Sequence, residues 1–365
     1  MKLSIIYVIL PFITLFIVSR IKVKNINSEK LILFFFAVSY IFLCGLRDGG
    51  GADDLSYRAY YEKGYGGNIL QMFSGKEPLF NLLRIICTIL GMNYKGMFLA
   101  HAVITVVFLC VALSNCQLNI DDLMLYIAAF YFISFSGMFT TMRQAAAMSM
   151  LFYLKSCHNP SWKKRCVLWM LIVCTHYGFI ILLPIEVFFS LWKGKLNIVV
   201  KGLIPICALL VGSFAHLDGL IQKITSTLGL YSYMNDKDNF SSATAIGIVA
   251  ISLFGMYILN LLFESRNSVQ VDTEVGSKIH ESAMLYFSLL FLTANTRWGN
   301  RICYYYLIFV PFVVIEFAGH FMVNGSSRKL KTALSLILYF GFEWIMLGYF
   351  GISGYAWSIR LWGGV

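Results

Sequence analysis

Apolar residues in this chain come in long blocks, each closed by a short polar or basic stretch, and the pattern recurs from end to end. The blocks run to about 15 to 21 residues, close to the roughly 20 that carry an α-helix across a hydrocarbon core. They predict helices near 3–19, 31–46, 94–113, 122–139, 142–157, 166–176, 177–192, 202–217, 243–263, 281–294, 302–321 and 332–350. The pair across 166–192 holds too few residues for two full crossings. It suits a hairpin that enters and returns, which survives only when packed in protein or lining a wet cavity. The first block, Leu3 to Ser19, lacks a small-x-small cleavage site, and a second apolar block follows a short basic loop, so a retained helix is expected. The expected fold is an all-α polytopic membrane protein, one transmembrane domain over 1–365 with about twelve helices.

Composition agrees. Hydrophobic residues make up 59% of the chain, charged residues only 13%, and the mean hydropathy is +0.73. A soluble domain carries about 25% charged residues because water must solvate its surface. Most of the nine cysteines (Cys44, Cys110, Cys174, Cys207, Cys303 among them) lie inside apolar blocks, with no spacing that suggests a metal site. The net charge of +11 needs no nucleic acid, since cytoplasmic loops and anionic headgroups account for it.

Basic residues set the orientation. Arg20, Lys22, Lys24 and Lys30; Lys155, Lys163, Lys164 and Arg165; Lys193, Lys195 and Lys201; Arg266 and Lys278; and Arg328, Lys329 and Lys331 all fall in short loops on one side. That side is expected to be cytoplasmic, with both termini facing outward. The outward side holds a different kind of cation. Seven of the eleven arginines are there (Arg47, Arg58, Arg84, Arg143, Arg297, Arg301 and Arg360), whereas twelve of the eighteen lysines are cytoplasmic. Lysine suffices for topology, but arginine offers a planar fork that grips phosphate with two hydrogen bonds.

Two outward loops are long. Residues 47–93 hold a glycine- and tyrosine-rich stretch, then an apolar piece, Leu79 to Met92, interrupted by Arg84, which predicts an interfacial or re-entrant helix. The second loop, 218–242, carries Asp218, Asp236 and Asp238 and could act as a lid.

Candidate chemistry gathers on this outward side. The stretch Arg47-Asp48-Gly49-Gly50-Gly51-Ala52-Asp53-Asp54 precedes Tyr57, Tyr60 and Tyr61; its glycines can expose amides to an anion, or simply make a solvated turn. Glu77 before Pro78 is either a helix start or a carboxylate turned toward substrate. Arg143, with Gln144 beside it, stands ahead of Ala145, Ala146 and Ala147 and is read as facing inward rather than snorkelling. His176 sits at the turn of the suspected hairpin, where an ionisable group usually faces a cavity or a partner. His101, alone on an apolar helix, reads as structural. Arg297 and Arg301, four residues apart with Trp298 between them, would repel one another on one helix face unless an anion lay between them.

The series Arg47-x3-Gly51-x-Asp53-x3-Tyr57, Glu77-Pro78-Leu79-Phe80, Met142-Arg143-Gln144 before small residues, Thr175-His176, and Arg301 with Tyr304 to Tyr306 resembles the EpsG/Wzy-type polysaccharide polymerases. The match departs at Ala52, where the family pattern has threonine, and at the double acid Asp53-Asp54. The resemblance implies a GT-C-like glycosyltransferase of the bacterial inner membrane. Such enzymes transfer a growing glycan from undecaprenyl diphosphate to the sugar of another lipid-linked unit at the periplasmic face. It makes the lipid-linked oligosaccharide and membrane lipids the partners, with a chain-length regulator as a further candidate and no cofactor. Arg47, Arg143, Arg297 and Arg301 are then candidates to bind the diphosphate. Asp53, Glu77 and His176 are candidates for the general base. Tyr57, Tyr60, Tyr61 and Trp298 could stack on sugar rings. An O-antigen ligase would share the donor but show its large outward loop late, not early. A transporter of lipid-linked sugars would show repeat symmetry, and a membrane acyltransferase would need His or Asp nearer the cytoplasm.

Overall fold

The computed structural model describes residues 28–47, 53–63, 77–192, 196–214, 223, 227, 243–263, 273–293, 299–320 and 330–342. They are 89% helical, and no strand occurs among them. In chain order the helices are α1 (Ser28–Tyr40, running into a π-helical turn, Ile41–Gly45), α2 (Asp54–Glu62), α3 (Pro78–Ile89) and α4 (Tyr94–Asn115). Next come α5 (Ile120–Ala129), a π turn (Phe130–Ser134) and α6 (Phe135–Thr140), then α7 (Met142–Ser156) and α8 (Trp162–Thr175). A 3-10 turn, Tyr177–Ile181, leads into α9 (Leu183–Leu191), followed by α10 (Ile198–Phe214), α11 (Ala243–Phe263) and α12 (Thr273–Leu292). The last group is α13 (Gly299–Cys303), a second 3-10 turn (Tyr304–Phe309), α14 (Val310–His320) and α15 (Leu330–Phe342). Among the described residues, Ser28–Gly45, Tyr94–Asn115 and Arg301–His320 are long and apolar enough to cross a membrane; Pro78–Ile89, Ile198–Ser213, Val249–Leu262 and Leu330–Phe342 are shorter apolar helices.

Apart from α2, which lies in the polar part of the first long loop, these helices fall largely on the apolar pieces because a segment without water can satisfy its backbone only internally. The block expected at 3–19 and the loop at 218–242, apart from Lys223 and Thr227, lie outside the described residues. One boundary moved. The helix expected from 281 starts at Thr273, because Glu274 and Lys278 pair at 2.5 Å one turn apart and Lys278 also donates to the Cys157 carbonyl at 2.9 Å. A hydropathy boundary stops at such charges; the helix continues through them.

Helix α7 is the axis of the bundle. It packs on α4 along one side and on α8 and the second 3-10 turn along others, and ten of the eleven residues from Gln144 to Leu154, all but Tyr153, are buried on it with Ala145, Ala146 and Ala147 allowing close approach. Gly212 does similar work between α10 and α12, where a β-carbon would run into the Phe291 carbonyl. Ser134 donates to the Leu307 carbonyl at 3.1 Å and Tyr126 to that of Ile308 at 2.9 Å, so the non-α backbone of the second 3-10 turn is held by side chains.

The arginine and lysine split reappears as two sets of ion pairs. Arg47–Asp54, Arg58–Glu62, Arg143–Glu77 and Arg301–Asp53 belong to the end of the bundle where α7 begins. Lys155–Glu186, Lys278–Glu274 and Lys331–Asp122 belong to the end where it finishes. Arg143 and Lys155 stand on the same helix about 18 Å apart, at 1.5 Å per residue.

Candidate functional site

The site is built at the arginine end by the first long loop. Helices α2 and α3 fold over the starts of α4 and α7, and Tyr57, Phe80, Cys87, Met97, Phe98 and Met142 make a small hydrophobic core of their own beneath them. Helix α3 turns its polar residues inward, with Asn81 and Arg84 buried, while Leu82, Ile86 and Ile89 are exposed. Arg84 lies over the Tyr60 ring at 4.1 Å and donates to the Tyr60 carbonyl at 2.8 Å, which ties α3 to α2. Pro78 at the first helical position starts α3 and leaves Glu77 just outside it. Across from it, Thr141 breaks the helical path between α6 and α7, so that Arg143 emerges in the first turn of α7.

Glu77 and Arg143 meet as an ion pair through Oε2 and Nη1, while Glu77 Oε1 accepts the Tyr177 backbone N–H at 3.2 Å. Arg143 is seated independently of that pair. Its Nε donates to the Tyr57 hydroxyl at 3.4 Å, and its guanidinium carbon lies 5.1 Å from the Tyr57 ring centre and 4.9 Å from that of Phe80. Burial raises the Tyr57 phenol above its ordinary range, Arg143 pulls it down, and Asp53 and Glu77 push it up; it stays neutral. Arg301 reaches toward Asp53 at 3.9 Å, and its backbone carbonyl accepts from Gln144 Nε2 at 2.5 Å. His176 ends α8 in extended backbone, with Nδ1 hydrogen-bonded to the Tyr305 hydroxyl, and it lies within electrostatic reach of both Arg143 and Arg301. Gly178 leaves room here: a β-carbon would come 2.9 Å from the His176 ring and 3.3 Å from the Tyr305 hydroxyl and would push on both. Five separate stretches of chain therefore put two arginines, two carboxylates and an imidazole in one cluster.

The EpsG family model matches residues 30–357, most of the chain and every part of this cluster. The chain belongs to the EpsG family. EpsG is a polysaccharide polymerase-type family, and the apolar helices together with this membership make the chain a multi-pass membrane protein. No curated protein and no solved structure matches it.

In this EpsG chain the structure brings together Asp53, Glu77, Arg143, His176 and Arg301; Arg297 and Trp298 lie outside the described residues. Two expectations change. Arg47 is only 1% exposed; Nη2 bonds Asp54 Oδ1 at 2.5 Å, Nη1 donates to the Phe139 carbonyl, and the group is packed on Phe98 and Phe139. Its fork is taken up by Asp54 and the Phe139 carbonyl. Tyr57, buried beneath Arg143, seats that arginine and offers no open face for a sugar. Tyr60 keeps an exposed edge, although its hydroxyl bonds Asn81, and the Tyr61 hydroxyl donates to the Met92 carbonyl at 2.6 Å. The double acid is resolved by direction: Asp54 turns in to Arg47, and Asp53 stays half-exposed toward Arg301. His101 is buried, with Nδ1 on the Met97 carbonyl at 2.9 Å.

Three partners were not singled out from sequence as site residues: Tyr305 on His176, the Tyr177 amide on Glu77, and Gln144 as the brace of Arg301. A further buried acid, Glu186 on α9, pairs with Lys155 at 2.8 Å and accepts the Tyr306 hydroxyl at 2.7 Å, so it anchors the same 3-10 turn that presents Tyr305.

Proposed function

We propose that this protein lengthens a glycan by transferring the growing chain from undecaprenyl diphosphate to a sugar hydroxyl of another lipid-linked repeat unit. In this reading it is a metal-independent GT-C-type glycosyltransferase with about twelve spans and a periplasmic site in the bacterial inner membrane. Helix α3 lies at the lipid interface with Leu82, Ile86 and Ile89 toward the acyl chains. The observation that carries the reading is the convergence of Arg143 and Arg301 with Asp53, Glu77 and His176 at the arginine-bearing end of the bundle. The acceptor oxygen bonds to the anomeric carbon as the bond from that carbon to the diphosphate oxygen breaks. The electron pair leaves with the lipid diphosphate, where the two guanidinium groups stabilise the growing charge. The hydroxyl proton passes to a base drawn from Asp53, Glu77 and His176.

The test is reconstitution. Purified protein in lipid, given synthetic undecaprenyl-diphosphate repeat units and no nucleotide, is expected to make longer chains and release lipid diphosphate in step. Transfer to a lipid A core acceptor without chain growth would identify a ligase instead, and movement of the unit across the bilayer without new bonds a transporter.

Within this reading Tyr305 is a positioning residue that holds the His176 ring. Tyr305→Phe is expected to slow kcat about tenfold, a small part of the 10²–10⁴ that a placed acid or base contributes, with KM for the lipid-linked unit unchanged. A rise in KM with kcat intact would show that the hydroxyl serves substrate binding.

A further inference from the structure

The two best-defined ion pairs at this end of the bundle are built differently. Arg47 and Asp54 are 1% and 5% exposed, closed in by Phe98 and Phe139. Arg143 and Glu77 are 31% and 15% exposed, so solvent reaches them. The first is a permanent internal brace. The second is open, and its two halves are anchored unequally.

Arg143 would stay where it is without Glu77, because the Tyr57 hydroxyl and the Tyr57 and Phe80 rings hold its Nε edge and its plane. Glu77 is a single carboxylate at the edge of α3, and it makes no capping bond to its own helix. It reaches across to take two donors from other elements, the Arg143 guanidinium and the Tyr177 amide. A guanidinium and a backbone N–H converging on two oxygens is the donor set that a phosphate also uses. A second cation, Arg301, lies 3.9 Å from Asp53 and within electrostatic reach of the same His176 ring as Arg143, where the larger charge of a diphosphate would meet it. A displaced Glu77 would not be stranded, since the first turn of α3 beside it favours a negative charge.

We infer that Glu77 occupies a phosphate slot in the resting protein, and that an incoming diphosphate takes Arg143 and the Tyr177 amide from it and sets the carboxylate free. The inference rests on the polymerase reading only for the source of the diphosphate. It assigns the order of events at the site: binding the donor releases a carboxylate able to accept the hydroxyl proton, so an empty site holds no free Glu77 base.

The slot predicts that removing an acid tightens anion binding while stopping catalysis. Inorganic pyrophosphate is titrated calorimetrically into the full-length protein in detergent. Glu77→Gln is expected to bind about tenfold more tightly than wild type, and Arg143→Gln to lose binding. Glu62→Gln removes an exposed acid paired with Arg58 on the outer face of α2 and is expected to match wild type. Equal or weaker binding by Glu77→Gln overturns the slot, and so does equal tightening by Glu62→Gln, which would reveal a general charge effect. If Glu77→Gln does not fold, Glu77→Asp keeps the charge with a shorter reach and is expected to tighten binding less than tenfold but measurably; no tightening overturns the slot. Tightening by Glu77→Gln together with no chain growth by the wild-type protein from lipid-linked units would sink the polymerase reading and leave the slot standing. Wild-type chain growth with no tightening by Glu77→Gln would do the reverse.

Discussion

Arg143→Ala is expected to reduce chain growth by about three orders of magnitude, while the protein still inserts and accumulates in the membrane. Loss of one fixed donor to a developing oxyanion costs about 10² to 10³ in rate, and Arg143 supplies a full charge as well as donors. Its surroundings argue that the loss is chemical. The Tyr57 and Phe80 rings that flank it belong to a small core that includes Cys87, Met97, Phe98 and Met142, which alanine leaves in place. Arg143→Lys is expected to recover little, because an ammonium cannot hold the Tyr57 hydroxyl and a second acceptor with the geometry of a planar fork. Chain length on gels and rate of lipid diphosphate release, both normalised to protein in the membrane, check the result. Near-normal polymer in either variant would remove Arg143 from the site.

The apolar blocks were enough to find nearly every described helix, because lipid forces a segment to close its own hydrogen bonds and length follows from bilayer thickness. The arginine and lysine division was legible too, and it reappears as pairs at opposite ends of the bundle. What sequence could not assign was the direction in which neighbouring side chains point. Tyr304, Tyr305 and Tyr306 follow one another in a 3-10 turn, so they diverge by about 120°. One reaches His176, the next reaches Glu186, and only the helices packed around the turn decide which does which. Asp53 and Asp54 are a similar case at the start of α2, where successive positions differ by about 100°. The burial of Arg47 depends on the Phe139 carbonyl, ninety-two residues away, and no local pattern announces such a partner.

Arg47→Ala is the variant for which the structure expects a failure of folding. Removing one partner of a buried pair leaves the other as an unpaired charge in an apolar setting, at a cost of about 3 to 5 kcal/mol. Here the Asp54 carboxylate, 5% exposed, loses its 2.5 Å ion pair, and the Phe139 carbonyl loses the Arg47 Nη1 donor at the same time. The expected outcome is a sharp loss of protein from the membrane and a lower melting midpoint in detergent, not a folded enzyme with weak substrate binding. The double variant Arg47→Met with Asp54→Leu separates the two readings. Replacing a buried pair by apolar side chains of similar volume is often neutral or stabilising, and Arg47 Nε has no hydrogen-bond partner among the described residues. The double variant is therefore expected to regain most of the lost stability and, if the closed-in Arg47 serves only the fold, most of the chain growth. Were Arg47 a diphosphate ligand, Arg47→Ala would keep its melting midpoint and lose pyrophosphate binding, and the second substitution would rescue nothing.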